Sequence, residues 1–293
     1  MSTNMTKAQR RDAARAEALK LQKKQQAGEK RSRLIMLSLL GLGVIILVVA
    51  VVLIFLEGQK SPMEKVDSVP AGVVEDTGIP VGADGAAGTT NEGAKTLDVY
   101  VDYMCPICGQ FESLNAASIA EMREAGDVTL VVHPVSILDR ASQGTDYSTR
   151  AASAAAWVAD QAPEQFSAFH DAMFASQPEE NSPGLSDEQI AQVAEQVGVP
   201  ADVAAGIADG EAHDTYEEWV SASSQAAGEN EALLNAEGGF GTPTVVIDGE
   251  RFEGWQAPGG LSQAITGEAP ASDDPADAPS DDPEAEPSAE PSE

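Results

Sequence analysis

The sequence predicts an α/β domain with a long helical insertion, preceded by a single transmembrane helix. Three observations carry this. The stretch Asp98-Val-Tyr-Val-Asp-Tyr-Met-Cys105-Pro106-Ile107-Cys108 passes from period-two alternation into a helix start, and Asp127–His133 follows as a second apolar strand. A helical pattern over residues 144–237 then separates this pair from Thr244–Ile247, a strand that runs into the hairpin turn Asp248-Gly249. Finally, Leu34–Leu56 is a run of 23 residues without a charge.

Residues 1–33 hold ten Lys and Arg against three acids, so this segment carries +7 while the chain as a whole carries −31. Polar, basic and rich in helix formers, it is expected to be a solvated cytosolic tail. The uncharged run at residues 34–56 would extend about 34 Å as a helix, enough to cross a hydrocarbon core of about 30 Å. It is too long for a cleaved signal peptide and lacks a small-residue cleavage site, so a retained anchor is expected. Ten positive charges precede it and only Lys60 and Lys65 follow closely. The positive-inside rule therefore places the N-terminus in the cytosol and the rest of the chain outside the cell membrane, as a single-pass protein.

Residues 57–94 are poor in large apolar side chains and read as a flexible linker, with Gly78-Ile-Pro-Val-Gly82 as a short edge strand. The folded domain is expected over 95–267. In its first strand Leu97, Val99, Val101 and Tyr103 alternate against Asp98, Tyr100 and Asp102. Pro106 suits a first helical position, where its missing N–H would have no partner. Phe111, Leu114, Ile119 and Met122 are expected on one buried face of that helix. Strand, helix and strand form a βαβ unit with parallel strands. Within the insertion, Ser186-Asp-Glu-Gln189 is a capping box, with Ile190, Val193 and Val197 turned inward. Glu250–Glu253 is the return arm of the hairpin, and Leu261–Ile265 begins a last short helix. Residues 268–293 hold ten acids and six prolines and are expected to form a disordered tail.

Cys105 and Cys108 are the only cysteines. A bridge across two residues closes too small a loop to be a useful staple. At the positive end of a helix dipole they read instead as a redox pair. A zinc site would need two further ligands, and His133, His170 and His213 lie in separate elements, so no metal is expected. His133 is expected to be structural or exposed, while His170 and His213 are expected at the surface. Tyr103 and Met104 are candidates for the rim of a substrate groove. Trp157, Trp219 and Trp255 are expected in the core. So acidic a body argues against nucleic acid as a partner.

A C-P-x-C motif after a strand, a helical insertion, and then Gly241-Thr242-Pro243-Thr244 before a hairpin together resemble the DsbA-like thiol–disulfide oxidoreductases of the thioredoxin superfamily. The resemblance implies a thioredoxin-like fold and an enzyme that needs no cofactor, with Cys105 and Cys108 as its catalytic pair. It implies that Pro243 is cis and faces the cysteines. The backbone of Thr242 would then bind an extended substrate segment, with Pro106 and Ile107 beside it. The expected partners are cysteine-containing exported proteins and a redox partner that the sequence does not name. The expected direction is oxidation of client thiols. A tethered reductase or isomerase, or a non-catalytic binding module on the same scaffold, are the alternatives. Two departures stand out: the strongest oxidants carry His where this chain has Ile107, and many members carry a buried acid where it has Val99. The Cys105 thiolate is therefore expected to be less stabilised than in the strongest oxidants.

Overall fold

The computed structural model describes residues 7–57 and 61–267, and the acidic tail expected over 268–293 lies outside them. The chain divides into two compact units at Ser61 and Pro62. The first is one continuous helix, α1 (Lys7–Glu57), which extends through the basic segment expected as a tail. Within it Met36–Leu53 is long and apolar enough to cross a membrane, and none of that stretch is buried in the protein.

The second unit is built on a five-stranded sheet in the order β1-β3-β2-β4-β5. The central strand β2 (Lys95–Val101) buries Leu97, Val99 and Val101, as its alternation requires. It pairs in parallel with β3 (Val128–Pro134), Leu97 opposite Leu130 and Val99 opposite Val132. Helix α2 (Pro106–Ala125) is the crossover between them. Its buried stripe is Phe111, Asn115, Ile119 and Met122, spaced by four, four and three residues. Leu114, expected on that stripe, is 55% exposed. The residue that closes the stripe is instead Asn115, whose side-chain amide donates to the Phe111 carbonyl at 3.0 Å and is thereby satisfied.

The linker expected over 57–94 is ordered well before its end. Strand β1 (Ile79–Val81) pairs antiparallel with β3 at the sheet edge, and its three residues are buried. Asn91 ties this segment down. Its amide nitrogen donates to the carbonyls of Arg123 and Val128 at 2.7 and 2.8 Å, and its side-chain oxygen accepts from Ala83 N. Such anchoring uses polar groups, so a count of apolar residues does not detect it.

Five helices follow β3: α3 (Tyr147–Gln161), α4 (Phe166–Ala175), α5 (Asp187–Gln196), α6 (Ala201–Ala208) and α7 (Glu211–Glu229). Buried alanines on α3 let it pack closely on α7. The capping box at Ser186 and Gln189 forms in both directions, and Ile190 and Val193 are buried. Strand β4 (Thr244–Ile247) runs antiparallel to β2. Asp248 and Gly249 then turn with φ of 50° and 84°, the left-handed pair that a tight hairpin demands. The return strand β5 is only Glu250–Arg251, and α8 (Gly260–Thr266) closes the fold. Trp219 and Trp255 are buried and Trp157 is half-buried. His170 is not a surface group. It is 4% exposed, enclosed by Tyr103, Phe166 and Phe174.

Candidate active site

The site begins where β2 ends. The Asp102 carboxylate is fully buried and accepts from Met104 N at 2.9 Å, Ser148 Oγ at 2.7 Å, and Ile137 N and Leu138 N at 2.9 Å each. Its carbonyl accepts from Cys105 N at 2.9 Å. One side chain thus fixes both the turn that delivers Cys105 and the loop after β3. Burial raises its pKa, while the four donors work against that rise. Strand alternation had assigned Asp102 to the polar face. The signal that would have found it is an Asp two residues before a buried backbone N–H at a strand end.

Cys105 is the N-cap of α2, in extended conformation, with Pro106 as the first helical residue. It keeps 6% of its surface, whereas Cys108, one turn on, keeps none. The two thiols are pushed in opposite directions. Cys105 is pulled down to about 6, first by a hydrogen bond from Cys108, against burial, with help from Thr242 and the backbone N–H groups of Cys108 and Ile107. Cys108 is pushed well up, chiefly by burial and then by Cys105. Thr242 Oγ1 is buried without a hydrogen-bond partner at ordinary distance, so we read its pull on the sulfurs as that of a nearby dipole.

The peptide bond between Thr242 and Pro243 is cis. It brings the Thr242 carbonyl to 3.3 Å from Cys105 Sγ, which donates to it in the thiol form. Thr242 and Pro243 are half-buried, whereas Pro106 is exposed and Ile107 is 47% exposed. The small exposed part of Cys105 is therefore flanked by Pro106 and Ile107 on its own helix and lies against the proline loop. Tyr103 and Met104 are no part of that surface, for both are fully buried. The Tyr103 hydroxyl and His170 Nδ1 are 2.9 Å apart, and His170 Nε2 meets Glu112 at 3.2 Å. Burial lowers His170, yet the Glu112 carboxylate outweighs it and leaves the imidazole raised. His133 is also buried, between Asp98 and Thr77. Among the described residues no group of three or more His, Cys, Asp or Glu is placed to hold a metal.

Comparison with known proteins matches this architecture. A thioredoxin family model covers residues 86–266. A thiol-disulfide oxidoreductase, MdbA, from Actinomyces oris superposes with a TM-score of 0.57 at 28% identity, over 72% of this chain and 98% of that one. Reduced DsbA from Mycobacterium tuberculosis gives 0.52 at 29% identity, over 66% and 94%. The serine/threonine-protein kinase PknE of Mycobacterium tuberculosis is 31% identical over 175 residues, which are 58% of this chain but only 29% of the kinase. The match therefore concerns less than a third of that protein. The chain belongs to the thioredoxin family, as a thiol–disulfide oxidoreductase of the DsbA type.

Proposed function

We propose that Cys105 and Cys108 are the catalytic pair of a membrane-tethered enzyme that oxidises the thiols of exported proteins. Residues 34–56 would be the anchor, residues 1–33 the cytosolic side, and the domain of residues 95–267, with β1 and its flanks, the part outside. The observation that carries the reading is the opposed proton affinity of two sulfurs one helical turn apart, beside the cis-proline loop.

In the oxidised enzyme the pair is a disulfide. A client thiolate attacks Cys105 Sγ, the bond between the two cysteines breaks, and Cys108 leaves and takes up a proton. Its raised proton affinity favours that uptake. A second client thiolate then attacks the client sulfur of the mixed disulfide, and Cys105 leaves as a thiolate. Two electrons pass from client to enzyme, one client proton is balanced by the thiol of Cys108, and the other goes to solvent. Stabilising the departing thiolate favours the reduced enzyme and makes the oxidised form the stronger oxidant. Ile107 supplies no charge to that thiolate, which limits the effect.

Ionisation of Cys105 also removes the S–H that occupies the Thr242 carbonyl. That carbonyl is then available to an amide of an extended client, with Pro106, Ile107 and Pro243 around it. A redox partner must take the two electrons to restore the disulfide. The test is a cysteine exchange in cells. Cys105→Ala should abolish disulfide formation in exported clients, and Cys108→Ala should accumulate client mixed disulfides on Cys105. Alkylation that finds the pair mostly reduced in the wild type would favour the reductase or isomerase instead.

A further inference from the structure

Gln177 lies just beyond α4, outside every motif read from the sequence. Pro178 follows it and restricts its backbone to extended conformations. Its amide nitrogen donates twice, to the Cys105 carbonyl at 2.9 Å and to the Tyr103 carbonyl at 3.1 Å. The Cys105 carbonyl also accepts from Gly109 N at 3.2 Å, the bond that closes the first turn of α2. One half-buried side chain therefore clamps both ends of the Tyr103–Cys105 turn. Phe174, three residues earlier, stacks at a tilt on the Tyr103 ring at 5.0 Å and docks the end of α4 against the same turn.

Gly109 makes room for this clamp. A Cβ at position 109 would lie 2.3 Å from Gln177 Oε1, closer than any real contact. Glycine inside a helix is otherwise unfavourable by about 1 kcal/mol relative to Ala. Here it admits the glutamine.

We propose that Gln177 is a positioning residue for the redox reaction: it holds the backbone of Cys105 so that the Ile107 and Cys108 N–H groups aim at its sulfur. Gly109 is its steric counterpart. The proposal rests on Cys105 being the attacking sulfur, and it makes the helical insertion, through the end of α4, part of the redox setting.

The test uses the 293-residue chain in detergent micelles. Two quantities are measured for each variant: the thiolate titration of Cys105 by ultraviolet absorbance, and the equilibrium constant with glutathione. Gln177→Met keeps the bulk and reach of the side chain and removes both donors. It should raise the Cys105 titration midpoint by about one pH unit, a tenfold loss of acidity, and at about pH 8 shift the glutathione equilibrium about tenfold toward the oxidised enzyme, or about 30 mV. The two factors should agree, because one sulfur sets both; loss of packing alone would not link them. Gly109→Ala should move both in the same direction by displacing Gln177. Added to Gln177→Met it should cause no further change, the non-additivity of a shared mechanism. Unchanged readouts in both single variants, or additive effects in the double variant, overturn the proposal. Cys105→Ala serves as the control. If it leaves the thiolate transition in place, the assignment of Cys105 itself fails. If it removes the transition while Gln177→Met and Gly109→Ala change nothing, only the role of Gln177 fails.

Discussion

Cys105 and Cys108 sit one turn apart on the same helix, and what separates them is their neighbours. Cys105 receives hydrogen bonds at a helix start, and Cys108 is shut away from water beneath it. The pH dependence follows. The folded-state pKa of Cys105 is depressed, so its contribution to the reduced protein is full above the ordinary thiol range and is lost as pH falls through about 6. Alkylation of reduced Cys105 should rise with a midpoint near pH 6, and Cys108 should stay unreactive until the protein unfolds. The denaturation midpoint of the reduced form, relative to the oxidised form, should climb between about pH 6 and the unfolded thiol range near 8.5. A flat difference across that window would remove the thiolate argument. At this scale the sulfurs were legible, because Cys-Pro-x-Cys after a strand is a local pattern. Asp102 and Gln177 were not. For Asp102 only the bond from Met104 N is local, its other partners lying in a loop more than thirty residues away and in Ser148, and Gln177 is recruited by a turn more than seventy residues away, a separation that no local spacing encodes.

Among the elements, α2 shows how a helical period is read and misread. Phe111, Ile119 and Met122 were assigned inward and are buried, while Leu114 was assigned inward and is exposed. Residues 111 and 115 share the core-facing line and 114 falls to one side of it. Period counting could not separate them, since offsets of three and four both suit a helix. The energetic contrast is large. Phe111→Ala removes a fully buried ring that meets Trp255 edge-on at 5.5 Å, and it should lower stability by about 3–5 kcal/mol in urea unfolding. Leu114→Ala should stay within about 0.5 kcal/mol of wild type. Equal losses in the two variants would contradict the placement of the helix. The parallel pair, the capping box and the hairpin were legible for a different reason: each is specified by residues within a few positions of one another. Strand β1 is held by β3, and Asn91 anchors the flank that follows it at Ala83; both hid within a composition typical of linkers.

At the scale of the whole chain, charge and hydropathy divide it. A basic, apolar first unit leads into an acidic folded one, and the apolar stretch of α1 buries nothing in the protein. A fragment of residues 62–267 should therefore fold alone and reduce insulin at close to the rate of the solubilised chain. An unfolded fragment by circular dichroism would show that the first unit is needed for folding. An open sheet border is a template for pairing with any exposed strand. Here β5 is two residues long, and the middle of β1 is Pro80, which has no N–H and whose carbonyl already accepts from Gly88 at 2.8 Å. Both borders of the sheet are in this way made poor docking edges for a further strand, one by brevity and the other by a missing donor and an occupied acceptor.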